Sequence, residues 1–361
     1  MKIRLILIAL FSCLMGSAMA ESGVTLYGNL DSGFLSSQLG GNINYFSQYT
    51  SGWMPTFFGF KGAEDLGGGL EASFRLESGF DLSTGATGQY PPKAVLFNRQ
   101  ASVALRGDFG SIGLGLLTDP LFLSLLAVDP RQVSNIGSGL QGFTMGNGTS
   151  NNANAVGYTS NDLAGLVLRA QYAFGEVPGN TKAASIYSAG AVYKKDGLII
   201  SAGWFSKKDP TGNLSNRGNL IGAGYEVGNL TIKAYYSTYN AEFLVGPGNT
   251  ISPSRLGTLD NVGFGGKYAI SPLLDIDFGY YTLKDSGSAS KMNANTLASG
   301  LFYKLSKRTT LYGQLVSIDN KGGNTAQNAL FVNNGDTTMP GVFMTTNGQG
   351  MQYNVGIRHA F

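Results

Sequence analysis

The final segment of the chain alternates apolar and polar residues up to its last position. The odd-numbered positions are Met351, Tyr353, Val355, Ile357, His359 and Phe361, and the even-numbered positions are Gln352, Asn354, Gly356, Arg358 and Ala360. Because successive side chains of a strand point to opposite faces, this pattern predicts a strand with one mainly apolar and one mainly polar face. Aromatic residues near both ends of the apolar face are typical of a strand that separates lipid from a polar lumen.

The same alternation recurs inside the chain. Over 70–77 it sets Leu70, Ala72, Phe74 and Leu76 against Glu71, Ser73, Arg75 and Glu77. A charged residue that faced lipid near mid-membrane would cost about 2–4 kcal/mol, so we expect these charges to point into the lumen of a membrane protein. A soluble sheet with one solvated face would alternate in the same way. The connections between the segments distinguish the two cases.

Sixteen strand-like segments recur along the chain, each near the length that a tilted membrane strand needs. They lie near 24–36, 52–62, 70–80, 96–109, 111–117, 154–160, 166–175, 185–194, 198–207, 218–226, 230–240, 258–268, 273–284, 295–304, 309–318 and 350–361. Short turns rich in Gly, Asn and Asp alternate with longer polar connections. The long connections are 37–51, 81–95, 118–153, 176–184, 208–217, 241–257, 285–294 and 319–349.

Short turns on one side and long loops on the other are the arrangement of outer-membrane barrels. A soluble β-sandwich has no reason to alternate so regularly. We therefore predict an all-β fold: a 16-stranded antiparallel transmembrane β-barrel with short periplasmic turns and long extracellular loops. It forms one domain over 21–361, and about sixteen strands leave an aqueous bore.

The N-terminus has the three regions of a secretory signal peptide. Lys2 and Arg4 are basic, 3–14 is almost wholly apolar, and Ala18 and Ala20 form a small-residue cleavage pattern. We predict that residues 1–20 are removed on export, together with Cys13, the one cysteine of the chain. Beyond this segment no stretch reaches the roughly 18 apolar residues of a helical span.

Charge and histidine content narrow the possible functions. The formal net charge of +3 falls to +1 without Lys2 and Arg4, which argues against a nucleic-acid partner. His359 is the one histidine, so a His-Glu-x-x-His metal site is impossible. The mature chain also has no thiol nucleophile and no Gly-x-Ser-x-Gly turn. We expect no enzymatic activity, no cofactor and no metal.

Six motifs, spread over almost the whole mature chain, are distinctive in combination. They are Val-Thr-Leu-Tyr-Gly at 24–28, Gly-Phe-Lys-Gly-Ala-Glu-Asp-Leu-Gly-Gly-Gly-Leu at 59–70, Phe-Asn-Arg-Gln-Ala at 97–101, Phe-Gly-Ser-Ile-Gly-Leu-Gly at 109–115, Val-Asp-Pro at 128–130 and Val-Gly-Ile-Arg-His-Ala-Phe at 355–361. In these motifs the chain resembles the general trimeric porins of β-proteobacteria, the Neisseria, Bordetella and Burkholderia type.

This resemblance implies a homotrimer in outer-membrane lipid that passes small hydrophilic solutes and ions. It also implies that the third long loop, 118–153, folds into the pore, and that the barrel-assembly machinery reads the terminal Phe361. We expect Gly28, Gly222 and Gly224 on the outer face, where small residues would let barrels approach closely.

The chain departs from the family pattern where the pore should be narrowest. Phe57 and Leu116 stand where relatives usually carry arginine, and Leu123 stands where they carry an acid. We therefore predict a more apolar constriction, weak ion selectivity and easier passage for solutes with an apolar part. The predicted pore-lining residues are Phe57, Lys61, Glu71, Arg75, Arg99, Leu116, Asp119, Leu123, Asp129 and Arg131. Arg99 and Lys61 are expected to carry the remaining anion preference.

Two functions of different classes fit these patterns. One is a passive diffusion channel, either general or substrate-selective. The other is a barrel that acts mainly as an adhesin or receptor through its loops, since 319–349 is long and rich in Asn, Gly and Thr. A conductance measurement in a planar bilayer separates them.

Overall fold

The computed structural model describes residues 23–39, 43–87, 95–147, 149–241, 244–245, 251–252, 257–286, 293–321 and 348–361. The predicted signal peptide, 1–20, lies outside these residues. So does most of the 319–349 connection, on which an adhesin or receptor function would depend.

The described chain is built mainly of strands. They are β1 (Thr25–Leu39), β2 (Ile43–Thr50), β3 (Phe57–Gly67), β4 (Leu70–Gly79), β5 (Gln100–Gly107), β6 (Gly110–Thr118), β7 (Asn151–Thr159), β8 (Leu166–Ala173), β9 (Ile186–Lys195), β10 (Leu198–Lys208), β11 (Leu214–Val227), β12 (Leu230–Ala241), β13 (Leu244–Val245), β14 (Ile251–Ser252), β15 (Thr258–Ser271), β16 (Leu274–Asp285), β17 (Asn293–Lys304), β18 (Thr309–Lys321) and β19 (Gly348–Ala360). Two helices, α1 (Pro120–Val128) and α2 (Leu140–Asn147), lie between β6 and β7.

Neighbouring strands pair antiparallel in one sheet, which closes on itself where β1 pairs with β19. The short pair β13–β14 is separate from that sheet. Closure is completed at the C-terminus, since the backbone N–H groups of Gly28 and Phe361 each donate to the other's carbonyl over 3.1 Å. A closed barrel leaves no unpaired strand edge, which is what a lipid environment requires.

One wall position of the barrel is occupied by two strands in succession. The first half of β1 pairs with β3 (Asn29 opposite Phe57), and the second half pairs with β2 (Ser32 opposite Thr50). The sheet therefore has seventeen strands at sixteen wall positions, which confirms the predicted 16-stranded antiparallel barrel. The predicted second strand, 52–62, is wrong in its first half, because residues 51–56 leave the sheet.

The two faces of the sheet differ as the alternation predicts. Side chains such as Val103, Leu114 and Ile221 are 55%, 53% and 61% exposed on the outside, where they would meet lipid. Outward aromatic residues lie near the rim formed by the short turns, as in the girdles of membrane barrels; they are Phe109, Tyr158, Tyr225, Tyr268 and Tyr303. We call this rim the turn end and the opposite rim the loop end.

The turn end is shaped by tight connections. Gly67, Gly68 and Gly69 between β3 and β4 have φ of +82°, +61° and +80°, a left-handed conformation that favours glycine. Similar two-residue turns join β5 to β6, β9 to β10 and β11 to β12. None of the helices in the described residues is long and apolar enough to cross a membrane.

Candidate constriction site

The connection between β6 and β7, residues 119–150, packs against the inner wall of the barrel; we call it the β6–β7 loop. Its helix α1 contacts β9, β10 and β11, and α2 contacts β11 and β12. In α1, Leu121, Leu125 and Val128 are fully buried against the wall, whereas Leu126 remains 36% exposed. The helix is therefore held by one apolar face and presents another to the open lumen.

Asp119 fixes the start of α1. Its Oδ1 accepts the backbone N–H of Leu121 over 2.7 Å, the capping contact typical of a helix N-terminus. The same carboxylate accepts the Ser188 hydroxyl of β9 and, through Oδ2, the Asn152 amide of β7. Burial raises the pKa of Asp119 above its ordinary value, against the effect of these donors. Asp119 thus ties the helix to the wall and does not face the lumen.

Glycines in the wall give α1 room to approach. A Cβ atom at Gly190 would lie 2.6 Å from the Pro120 carbonyl oxygen, and one at Gly222 would lie 2.6 Å from Val128 Cγ2. Gly222 and Gly224 therefore face the lumen side, so the expectation that they lie on the outer face is wrong. Gly28 does lie on the outward parity, against the ring of Phe361.

Asp129 organises the turn that follows α1. Its Oδ1 accepts the backbone N–H groups of Arg131 and Val133 over 3.0 and 2.8 Å, and its Oδ2 accepts that of Gly139 over 2.8 Å. The side chain is fully buried, and burial raises the pKa of its carboxyl. Asp129 is thus an internal brace of the loop.

Arg131, just after α1, attaches the same loop to a different part of the wall. Its Nε lies 2.9 Å from Asp277 of β16, and Nη2 donates to the Gln314 side chain of β18 over 2.7 Å. Nη1 donates to the carbonyl oxygens of Ile136 and Gly137 over 2.8 Å each. A buried guanidinium needs acceptors for its N–H donors and a partner for its charge. These contacts supply both, which explains why a fully buried arginine does not destabilise the barrel.

A second segment enters the lumen from the interrupted wall strand: residues 51–56, which we call the β2–β3 break. The Asp31 carboxylate accepts the backbone N–H of Met54 over 2.7 Å and of Trp53 over 3.3 Å. The break meets the β6–β7 loop directly, since Asn135 donates from its side chain to Ser51 O and from its backbone to Trp53 O. Two inserted segments therefore join inside the barrel.

A cavity of about 340 Å³ remains between these segments and the wall strands β3–β5. Its apolar lining comes from both insertions and from β3, and its charged lining comes from the strands. The apolar side chains include Met54, Phe57, Phe122, Leu126 and Leu140, and the charged ones are Glu77, Arg99 and Arg358. We call this space the constriction cavity.

The charged side of the constriction cavity is a connected group. Arg99 Nε lies 3.4 Å from Glu77, and the Arg99 guanidinium sits 4.7 Å above the ring of Phe57. Tyr27 donates its hydroxyl to Glu77 over 2.7 Å, and its ring also contacts Lys61 of a neighbouring cavity, whose Nζ lies 5.0 Å from the ring centre. The carboxylate thus offsets much of the field of Arg99. The cation–π contact with Phe57 stabilises the guanidinium by about 0.5–1 kcal/mol.

Lys61, Glu71 and Arg75 lie elsewhere, in a cavity of about 590 Å³ toward the turn end. Arg106 lines the same space. Lys61 and Arg75 are cross-strand partners on β3 and β4, and Glu71 pairs with Arg106 on β5. These residues line a mixed-charge vestibule and are separate from the constriction cavity.

Two predicted residues take other positions. The register sets Leu116 opposite Ala101, on the outward parity of β6 that it shares with the exposed Ile112 and Leu114. Leu116 is therefore not a lumen residue, and Leu117 points inward instead, toward Gly113 and Gly157. Leu123 is half-buried on α1, and the neighbouring Phe122 and Leu126 line the constriction cavity.

Sequence reasoning missed Trp53, Asn135 and Gln314 as residues of this site. Only Gln314 carried a signal, since it shares the inward parity of β18 with Tyr312 and Val316. Arg358 stood in the polar parity of the last strand but was not selected. Among the residues the structure describes, no group of three or more His, Cys, Asp or Glu could hold a metal ion.

Known proteins resemble the chain over its whole length. The sequence profile of the Gram-negative porins matches residues 6–323. Outer membrane porin protein 32 of Delftia acidovorans is 30% identical over 100% of both chains. The anion-selective porin from Comamonas acidovorans superposes with a TM-score of 0.74 at 22% identity, covering 94% of this chain and 100% of that one. The trimer form of OmpT from Vibrio cholerae superposes with a TM-score of 0.65 at 14% identity, covering 94% and 99%.

Proposed function

The chain belongs to the Gram-negative porin family, and from that premise we propose how its bore selects solutes. As a member of this family it is an outer-membrane channel for passive diffusion, as predicted. We propose that the constriction cavity is the narrow passage, formed where the β6–β7 loop and the β2–β3 break approach β3–β5. The observation that carries this proposal is their direct junction at Asn135 and Gln314.

The passage has an apolar side and a weakly charged side. Phe122 and Leu126 of α1 face Met54 and Phe57 across the cavity, while Glu77 and Arg99 form an ion pair beside them. A solute that carries both an apolar part and a polar group can contact both sides. We therefore propose that such solutes pass more easily than strongly charged ones.

Ion selectivity in this passage should be weak and favour anions. Arg99 is largely balanced by Glu77, so Arg358 supplies the surplus positive charge of the cavity lining. At an effective dielectric near 20, one unit charge about 4 Å away is worth roughly 4 kcal/mol, so a single surplus arginine is felt by a passing ion. The structural relative from Comamonas is described as anion-selective, which agrees with the sign proposed for this chain.

Assembly completes the proposal. We propose that residues 1–20 are removed on export, that the terminal Phe361 is read by the barrel-assembly machinery, and that three barrels associate in outer-membrane lipid. The trimer form of the OmpT relative supports this last step. Chemical cross-linking of the native protein in mild detergent should give one dominant species of three chains. A monomer under conditions that preserve the barrel would contradict it.

Reversal potentials test the proposed passage. Purified protein in a planar bilayer under a KCl gradient should give stepwise currents with a small preference for chloride. Glu77→Gln removes the negative partner of Arg99 and should increase that preference. If the wild type is strongly anion- or cation-selective, or if Glu77→Gln leaves the reversal potential unchanged, the constriction lies elsewhere.

A further inference from the structure

A third cavity, of about 370 Å³, lies on the turn-end side of the β2–β3 break. It is lined by Trp53 and Phe302 on one side and by Lys267, Lys304, Lys307 and Arg358 on the other. Met54 and Arg358 border both this space and the constriction cavity. A solute that moves between the constriction and the turn end would therefore pass through this cavity beside the constriction. We call this space the turn-end cavity.

Cationic side chains exceed anionic ones around the turn-end cavity. Asp275 is shared by two lysines, Lys267 at 2.6 Å and Lys304 at 2.9 Å, and Asp277 is paired with the buried Arg131. These contacts leave a surplus of one lysine charge together with Lys307 and Arg358. Asp31, the cross-strand partner of Arg358, accepts the Tyr312 hydroxyl over 2.6 Å and the Met54 and Trp53 backbone N–H groups, and its negative charge lowers this surplus of three by one. The surplus favours an anion.

Arg358 is prepared to bind a carboxylate. Its Nε donates to Asn29 Oδ1 over 2.6 Å, which fixes the plane of the guanidinium. Within the described residues its two terminal nitrogens have no hydrogen-bond partner, although the side chain lies in the barrel lumen. A guanidinium held in this way can donate two parallel hydrogen bonds to one carboxylate.

The apolar side of the cavity is aromatic. The rings of Trp53 and Phe302 lie 4.5 Å apart at 42°, and the Arg358 guanidinium lies 5.4 Å from the Trp53 ring. Trp53 is half-buried, so part of its ring is open to the cavity. An aromatic surface beside a fixed cation suits a planar ligand whose charged group projects from one edge.

We propose that the turn-end cavity binds small organic monoanions with a flat apolar body, the class of the aromatic carboxylates. Arg358 binds the carboxylate, Lys307 adds a second positive charge, and Trp53 with Phe302 contacts the ring. The proposal rests on the diffusion-channel function and goes beyond the proposed constriction, because it assigns a saturable binding site next to it.

Trp53 allows binding to be measured directly, since the chain has two tryptophans and the other, Trp204, is 43% exposed on the outer face. In Trp204→Phe protein refolded in detergent, benzoate should change the Trp53 emission saturably. Benzamide, which has the ring without the charge, and acetate, which has the charge without the ring, should each bind about tenfold more weakly or worse. Benzoate should also reduce the KCl conductance in bilayers with the same midpoint.

Arg358→Gln should weaken benzoate binding at least tenfold, and Lys307→Gln should weaken it less. Arg308→Gln, at the same turn but outside the cavity lining, is the matched control and should bind as the parent does. Stepwise conductance of each variant shows that its barrel has formed and that the channel function holds independently of the site. A conducting wild type without saturable benzoate binding, equal binding of acetate and benzoate, or unaltered binding by Arg358→Gln would each overturn the proposal. If Arg358→Gln does not conduct, unaltered binding by Lys307→Gln overturns it.

Discussion

Arg131 of the β6–β7 loop and Gln314 of β18 are separated by 183 residues in sequence and joined by a 2.7 Å hydrogen bond inside the barrel. The same Gln314 side chain donates to Gly52 O of the β2–β3 break and to Asn354 of β19. One amide therefore connects both inserted segments to the wall. This makes the shape of the constriction depend on a residue outside either insertion.

Replacing this amide should loosen both insertions at once. Gln314→Leu keeps a similar volume but leaves the buried Arg131 Nη2 without an acceptor, at a cost of about 1–3 kcal/mol. We expect a larger and noisier single-channel conductance and faster proteolysis within 119–150. Gln48→Leu, at an exposed glutamine whose amide donates to Ser32, is the matched control. Equal conductance and equal proteolysis in the two variants would refute the role of Gln314.

Helix α1 can pack closely against the wall because residue 190 is a glycine. A Cβ there would lie 2.6 Å from both Pro120 O and Ser124 Oγ, so Gly190→Val should push the helix into the lumen or release it. Single-channel recordings should show an altered unitary conductance without loss of the barrel. Gly313→Ala, whose added Cβ meets only Val355 Cγ1 at 3.9 Å, should conduct as the wild type does. A normal conductance for Gly190→Val would mean that the helix does not limit the current.

The barrel followed from the sequence because strand periodicity and connection length are local properties. The inserted segments did not. Ser51-Gly52 and Pro55 mark a turn in the β2–β3 break. They do not reveal its path into the lumen, which depends on Asp31, Gln314 and Asn135, residues distant in sequence that satisfy its backbone. Leu116 was assigned to the lumen from the family resemblance, although the plain alternation of β6 already places it on the outward face with Ile112 and Leu114.

The acidic residues of the β6–β7 loop were also placed incorrectly from the sequence. Asp119 and Asp129 were predicted to line the pore. Both are fully buried and accept backbone N–H groups. For Asp119 the sequence carried a signal that was not used, because Asp followed by Pro ahead of an apolar run marks a helix start. Phe57 and Arg99, by contrast, lie on predictable lumen-facing positions of the wall and line the constriction cavity.

Selectivity should respond to position 57. Phe57→Arg places a second guanidinium beside Arg99, which already lies 4.7 Å from that ring, with only Glu77 to offset the two. We expect the reversal potential in a KCl gradient to shift toward the chloride value. Phe57→Leu is the control, because it removes the ring without adding charge. Phe58→Arg cannot serve as the control, because residue 58 lies on the outer face of the sheet. An unchanged reversal potential in Phe57→Arg would show that the narrow passage does not include β3.

Barrel closure should depend on the C-terminus. Phe361 exchanges two backbone hydrogen bonds with Gly28, and its ring covers that glycine. Removing Phe361 should reduce the amount of assembled protein in the outer membrane, while refolding in detergent is affected less because no assembly machinery takes part. Gel migration of unheated samples measures both. Equal loss in cells and in detergent would assign Phe361 to stability alone and remove its proposed role as an assembly signal.

The face of α1 that lines the constriction cavity gives the most direct test. The mature chain is expected to have no cysteine, so Leu126→Cys would carry the one thiol, and a charged methanethiosulfonate reagent should reach it from the lumen. Labelling should lower the single-channel conductance of Leu126→Cys. It should leave unchanged that of Leu114→Cys, whose side chain is 53% exposed on the outer face. Full conductance of Leu126→Cys after labelling verified by mass would show that the β6–β7 loop does not narrow the bore.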